Sequence, residues 1–296
     1  SATPPGRRFS FCRIVSETFP RMPDSRGIEV PGCGSCAVGS LGYPVGMSMK
    51  VLALPLLLVM ALGAMVFAQA DRRPRAKATV IEKGVRFDPV VRNMEGWTVH
   101  IDPALLEGKH APVGAKCLRM LGDHLNRISL LVQGDVLEKL KKCEIWIEHR
   151  HPSLGGMQYH PSEGWLRNNG HDPRLTRKVH IPQAEALLSR GQLLKHPAVV
   201  LHELAHAYHD QVLGFDFKPV VDSFEKAMED GTYEKVLLYT GRTVRHYGAT
   251  NHKEHFAEGT EAYFYRNDFY PFVRAELKEH DPTLHDALKD IWGSAQ

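Results

Sequence analysis

The chain has 296 residues, of which 43% are hydrophobic and 24% charged, a globular composition with room for one large or two modest domains. Its formal net charge of +3 comes entirely from residues 1–70, where basic side chains outnumber acidic ones. Residues 71–296 carry equal numbers of both. The charge therefore does not indicate a phosphate-binding surface, and we expect no nucleic-acid partner.

The first 70 residues have the features of an extension followed by an export signal. Residues 1–46 mix Pro, Gly, Arg and Ser without a sustained period, and we interpret them as disordered or as a mis-annotated upstream extension. Residues 47–70 combine a lysine, an apolar run over 51–68 and Ala-Gln-Ala, the pattern of a signal peptide. The alternative is an uncleaved membrane anchor, although the run is at the short limit for a span. In both interpretations residues 71–296 form one exported domain, which is secreted, periplasmic or held at the cell surface.

The exported part contains both strand and helix patterns. Alternating or clustered β-formers predict strands at 79–81, 85–87, 97–101, 143–148 and 179–181, with a short edge strand at 158–160. Apolar residues three or four apart predict helices at 113–132, 135–142, 182–190, 197–212, 217–230, 252–267, 272–278 and 282–292, and residues 234–248 are expected to be mostly loop. These elements predict an α+β fold with a small sheet and a mainly helical C-terminal half. Export permits a disulfide between Cys117 and Cys143, but their spacing does not show whether they pair.

The predicted helix 197–212 contains the pattern H-E-x-x-H, formed by His202, Glu203 and His206. Residues i and i+4 of a helix share a face, so the two imidazoles can bind one tetrahedral Zn²⁺. Glu203 lies about 100° around the helix from His202, beside the metal, where it can act as the general base on a zinc-bound water. The surrounding residues are apolar, and polar groups on a buried helix need partners.

Two glutamates compete to be the third zinc ligand. The extended pattern that would supply a third histidine fails, because His209 and Val212 occupy its Gly and His positions, and we expect His209 to face solvent or to support a ligand. Glu225 lies at a spacing used by a large aminopeptidase class but lacks the sequence pattern of that class. Glu254 shares a helix face with Glu258, so Glu254 can bind zinc while Glu258 holds a histidine ligand by its other ring nitrogen.

The segment 247–258, YGATNHKEHFAE, resembles the catalytic domain of the anthrax lethal factor group of gluzincin metallopeptidases. The resemblance extends over about residues 180–270 and implies a zincin-like fold. It assigns the third zinc ligand to Glu254, its support to Glu258, and stabilisation of the tetrahedral intermediate to Tyr247. The receptor-binding and substrate-docking domains of the toxin have no counterpart here, so a toxin substrate is not implied.

Tyr247 also has a role on chemical grounds. A phenol beside the metal can donate a hydrogen bond to the oxyanion that forms when the scissile carbonyl is attacked. Three other side chains are rival donors of lower rank: Tyr239, His246 and His255.

The sequence therefore predicts an exported zinc metalloendopeptidase that acts on a peptide or protein substrate, with Zn²⁺ as its cofactor. An edge strand in the region 155–160 is expected to pair with the substrate backbone. A membrane is a partner only if residues 51–68 remain as an anchor. The alternative function is a non-catalytic exported domain that binds zinc structurally or binds a partner, for which a closed site with four protein ligands would be typical.

Overall fold

The structure, a computed structural model, describes residues 84–293. The segment 1–46, the predicted signal peptide 47–70 and the predicted strand 79–81 lie outside the described residues. From residue 84 to residue 293, no helix combines the length and the apolar character that crossing a membrane requires.

The described residues form short strands and longer helices. The strands are β1 (Val90–Met94), β2 (Trp97–Ile101), β3 (Ile145–Ile147), β4 (Gln158–Tyr159), β5 (Val179–Ile181), β6 (Val236–Leu237) and β7 (Thr243–Val244). The α-helices are α1 (Ala111–Leu131), α2 (Gly134–Leu140), α3 (Glu163–Asn168), α4 (Arg190–Lys195), α5 (Val199–Tyr208), α6 (Lys218–Glu229), α7 (His252–Phe264), α8 (Arg274–His280) and α9 (Pro282–Trp292). The predicted α+β class is confirmed.

Five strands form one mixed sheet in the order β1-β2-β3-β5-β4. The central strands β2, β3 and β5 are parallel, whereas β1 and β4 pair antiparallel at the two edges. Glu95 and Gly96 connect β1 to β2 and both have positive φ, 51° and 97°, as in the two-residue turn that matches the twist of a hairpin. Helices α1 and α2 make the crossover from β2 to β3.

The alternation of side chains along the strands divides the core into two parts. Val99, Ile145, Ile147 and Val179 point to one face of the sheet and belong to the large core that includes α1, α5 and α7. Trp146 points to the other face and packs in a small core with Leu166, Leu175 and Phe87. Every residue of β3 and β5 is buried, as is usual for parallel strands that are covered on both faces.

Helix α7 lies against α5 on one side and against α9 on the other. A Cβ atom at Gly259 of α7 would lie 2.6 Å from Leu284 Cδ2 and 3.1 Å from Leu288 Cδ1. The absence of a side chain at Gly259 therefore lets α9 approach α7 closely. This packing buries the middle of α7, which carries three glutamates toward α5.

The structure corrects several details of the predicted elements. Residues 85–87 are not a strand, and the edge strand is β1 at Val90–Met94 instead. Residues 182–190 form a 3-10 turn at Ala184–Leu188 rather than an α-helix, and the loop 234–248 contains the β6–β7 hairpin. The predicted edge strand at 158–160 is confirmed as β4. Cys117 and Cys143 are both buried free thiols, and burial raises the pKa of Cys143 to about 12.

Candidate metal centre

Helix α5 carries the two histidines on one face, one turn apart. His202 is buried and His206 is partly buried, and their Nε2 atoms lie 3.1 Å from each other. Because the helix is apolar apart from these histidines and Glu203 and packs in the large core, its backbone holds both imidazoles in fixed positions. The i, i+4 spacing in the sequence thus becomes a pair of nitrogen atoms aimed at one point.

Helix α7 brings a carboxylate to the same point. Glu254 Oε2 lies 3.2 Å from His202 Nε2 and 3.3 Å from His206 Nε2. The side chain of Asn251 caps the helix by accepting hydrogen bonds from the backbone N–H groups of Lys253 and Glu254, at 2.9 and 3.1 Å. This cap fixes the first turn of α7 and therefore the position of Glu254.

The three atoms have the spacing that a tetrahedral metal requires. Bonds of about 2.0–2.1 Å to nitrogen and oxygen at tetrahedral angles place neighbouring ligand atoms about 3.3–3.4 Å apart. The three observed separations are 3.1, 3.2 and 3.3 Å. His202, His206 and Glu254 therefore form a cluster that can hold a metal ion, and a three-ligand set leaves a fourth position open.

The electrostatics of this point favour a positive charge. Burial opposes protonation of His202, but the hydrogen bonds that its ring donates to Glu254 and Glu261 outweigh burial and raise the pKa of His202 well above its usual value. Burial likewise opposes ionisation of Glu254, and its contacts with His202 and His206 nonetheless hold the pKa of Glu254 below its usual value. The arrangement that favours a proton here also favours a metal cation.

A carboxylate behind His202 orients its ring, but it is not the predicted one. Glu261 Oε1 lies 2.7 Å from His202 Nδ1 and 2.7 Å from His196 Nε2. Glu258, to which the sequence analysis assigned this hydrogen bond, lies 3.7 Å from His202 Nδ1. Glu258 and Glu261 share the face of α7 that meets α5. Glu261 lies one helical turn further from Glu254 than Glu258 does, and it is Glu261 whose carboxylate reaches the ring of His202.

The two buried glutamates differ in charge. Burial and then the charge of Glu261 raise the pKa of Glu258 to about 8. Burial opposes ionisation of Glu261 as well, but His196 and His202 outweigh it and lower the pKa of Glu261. Of this pair, Glu261 is therefore the residue whose contacts favour the carboxylate, and Glu258 is the residue for which burial and its neighbour favour the neutral acid.

The remaining predicted site residues line one cleft with the candidate metal ligands. The cleft has a volume of about 520 Å³, and Glu203, Tyr247, His202, His206 and Glu254 are among its walls. Tyr247 begins a 3-10 turn at Tyr247–Ala249 and is 49% exposed. Burial and the nearby charge of Glu254 raise the pKa of Tyr247, so its phenol keeps the proton that a hydrogen-bond donor needs.

The rival donors lie elsewhere in the described part of the chain. His246 is buried and its Nδ1 accepts a hydrogen bond of 2.8 Å from Gly248 N, which supports the turn that carries Tyr247. His255 is buried with its Nε2 3.7 Å from Asp281, and Tyr239 is a surface residue, 40% exposed, beside the β6–β7 hairpin. Among these candidates and Tyr247, only Tyr247 is a wall of the cleft.

The structure also shows where the two remaining candidates, Glu225 and His209, lie. Glu225 is exposed on α6 and is not a wall of the cleft, whereas Glu254 belongs to the cluster that can hold a metal ion. His209 does not face solvent; it is fully buried and packs against Phe256 and Phe215, with ring centroids 4.9 and 5.2 Å away.

Sequence reasoning missed His196 and Glu261. His196 comes from the loop before α5, and no spacing rule connects it to the motif. Glu261 had a usable signal, since Glu254, Glu258 and Glu261 follow the four-then-three spacing of one helix face.

Comparisons with protein-family models, with curated proteins and with solved structures give no match for this chain. The arrangement of the ligand atoms, Glu203 and Tyr247 around one cleft is therefore the observation on which a function rests.

Proposed function

We propose that this chain is a zinc-dependent endopeptidase that acts outside the cytoplasm. The observation that carries the proposal is the convergence of three metal-ligating atoms, a carboxylate and a phenol on one cleft. His202, His206 and Glu254 hold the metal, Glu203 is the general base, and Tyr247 is the oxyanion donor. The resemblance of residues 247–258 to the gluzincin peptidases, and with it a zincin-like fold, supports the same assignment.

Zinc suits the donor set better than magnesium or calcium. Two imidazoles and one carboxylate in a tetrahedral arrangement are typical of catalytic zinc, whereas magnesium and calcium prefer oxygen ligands at higher coordination number. When bound, zinc would polarise the scissile carbonyl and lower the pKa of the attacking water.

The chain's own residues supply the remaining chemistry. Glu203, adjacent to His202 on α5 and in the wall of the cleft, takes a proton from the attacking water and delivers it to the leaving amine. Tyr247 donates its phenolic proton in a hydrogen bond to the carbonyl oxygen as negative charge develops there. A structural metal site needs neither group.

The edge strand β4 suits a peptide substrate. Residues 155–159 line the cleft, and the side of β4 away from β5 has no neighbouring strand in the described sheet. An extended segment can pair with such an edge and place its backbone across the cleft. Because a segment in the middle of a chain can do this, the proposal is an endopeptidase. Its extracytoplasmic location rests on the predicted signal peptide 47–70.

The test is the substitution Glu203→Gln in zinc-loaded protein, with the exposed Glu225→Gln as the matched control. We expect Glu203→Gln to keep its zinc and to lose activity on a peptide library by at least about 10²-fold, in the range seen for loss of general-base catalysis. The control should match the wild type. Full activity of Glu203→Gln would refute the role of Glu203, and a zinc-loaded wild type that cleaves nothing would favour the non-catalytic alternative.

A further inference from the structure

The helix that carries the two histidines does not end as an ordinary α-helix. After Tyr208 it continues as a single π-helical turn, His209–Leu213, directly behind His206. A π turn inserts one extra residue, so the side chains that follow it point in directions an α-helix would not give them. Here Asp210 and Gln211 contact the edge strand β4.

The contact centres on the phenol of Tyr159. Tyr159 Oη donates a hydrogen bond of 2.5 Å to Asp210 Oδ2 and accepts one of 3.2 Å from Gln211 Nε2. Gln211 Nε2 also donates to the backbone oxygen of Arg177, at 3.0 Å, and Arg177 Nε lies 3.7 Å from Asp210 Oδ2. Tyr159 is buried, and burial and then the Asp210 carboxylate raise its pKa, so the phenol remains a donor at any ordinary pH.

This network joins β4 to α5, the two parts of the cleft whose relative position decides where a bound peptide lies with respect to the proposed metal. Strand β4 has two residues and β5 is its one neighbour in the described sheet, through the pairs Gln158–His180 and Tyr159–Val179. Two further backbone hydrogen bonds follow at its end, between His160 and residues 177–178. So short an edge strand has few backbone hydrogen bonds of its own. The side-chain hydrogen bonds between Tyr159 and α5, which we call the tie, give it a second attachment. The tie lies four residues beyond His206, so it fixes the position of β4 relative to the metal ligands.

We propose that Tyr159 and Asp210 are a positioning pair that holds the β4 edge at a set distance from the metal ligands, ready to pair with an extended peptide. The inference rests on the proposed peptidase function. Neither residue touches the reacting atoms. A strand that is already held in place loses less conformational entropy when the substrate binds. The substrate pairs with β4 in both the ground state and the transition state, so this gain applies equally to both. Loss of the tie should therefore raise KM and leave kcat nearly unchanged.

The variants are Tyr159→Phe, which removes only the hydroxyl, Asp210→Ala, and the double variant. The matched control is Tyr239→Phe, which changes an exposed tyrosine outside the cleft. With a peptide that the wild type cleaves, we expect each single variant to raise KM about tenfold with kcat within about twofold, from loss of one charge-assisted hydrogen bond. The double variant should be no worse than either single variant, because the two residues act as a pair. Zinc affinity should not change.

An unchanged KM, additive effects in the double variant, or weaker zinc binding in Tyr159→Phe would each overturn the proposal. Amide hydrogen exchange tests the pair without activity. Exchange of the amides at 157–160 should become faster in Tyr159→Phe and Asp210→Ala but not in Tyr239→Phe. If zinc-loaded wild type cleaves no peptide, the proposed function fails, and exchange still decides whether the pair holds β4: unchanged exchange in the variants would overturn it.

Discussion

Substitution of Glu261 by glutamine should weaken zinc binding more than any other change outside the three ligands. Glu261 Oε1 accepts hydrogen bonds of 2.7 Å from both His202 Nδ1 and His196 Nε2. Glutamine keeps the shape of the side chain but removes the negative charge that strengthens His202 as a ligand and fixes its ring. Glu258→Gln is the informative comparison, because Glu258 is the residue that the sequence favoured for this role.

The structure sets the expected magnitudes. Loss of a partner that orients a histidine ligand weakens metal binding about 10–100-fold, or about 1.4–2.7 kcal/mol. The side chain of Glu261 is fully buried, where its charge is poorly screened, so we expect the upper end of this range. Burial and the charge of Glu261 raise the pKa of Glu258, which favours the neutral acid, and glutamine resembles a neutral carboxylic acid. For Glu258→Gln we therefore expect zinc affinity to change less than about threefold.

Zinc affinity would be measured at pH 7 by competition with a chromophoric chelator, with Glu225→Gln as the exposed control. Circular dichroism of the metal-free variants would show that each one folds. If Glu258→Gln weakens zinc binding as much as Glu261→Gln, the assignment of the histidine's partner to Glu261 is refuted.

Three other outcomes can be checked with the same protein. Tyr247→Phe should lower kcat by about 10²–10³ with zinc affinity unchanged, and an undiminished kcat would remove Tyr247 from the mechanism. Metal analysis should find zinc lost from Glu254→Ala but retained in Glu225→Ala, and the reverse result would contradict the ligand assignment. Burial lowers the pKa of His160 and of His180 to about 3, so between about pH 6.5 and 3 the unfolded chain binds more protons and stability falls as pH falls. With zinc chelated, the free energy of unfolding measured with denaturant should fall by about 1.4 kcal/mol per pH unit for each of these histidines below pH 6. His160→Gln should make this dependence on pH shallower. An unchanged dependence would refute the interpretation that His160 is buried in its neutral form.

The parts of the site that follow from local spacing could be predicted from the sequence. His202 and His206 are one turn apart on any helix, and Glu203 follows from its place between them. Glu254 required a second helix. It was preferred to Glu225 because Glu225 lacks the sequence pattern of its class, because Glu254 shares a helix face with Glu258, and because of the pattern of residues 247–258.

The parts that depend on how elements pack could not be predicted. Which glutamate of α7 meets His202 depends on how α7 is rotated about its own axis against α5. The sequence shows which residues share a face of α7, but it does not show that rotation. The π turn at His209–Leu213 is invisible to a helix pattern, and so are the contacts of His209 with Phe215 and Phe256 that accompany its burial. In the sheet, β1 was missed because its residues are mostly exposed, so they lack an apolar period.

The positions of the three proposed ligands have a consequence for stability as well as for chemistry. His206 and Glu254 are the ends of a long segment of chain that contains α6 and the β6–β7 hairpin. A metal ion bound to both α5 and α7 joins the ends of this segment and closes it into a loop for as long as the ion stays bound. An ion present at about a thousand times its Kd adds about 4 kcal/mol to the stability of the folded state. Chelation should therefore loosen the C-terminal half of this protein much as reduction loosens a disulfide-linked domain.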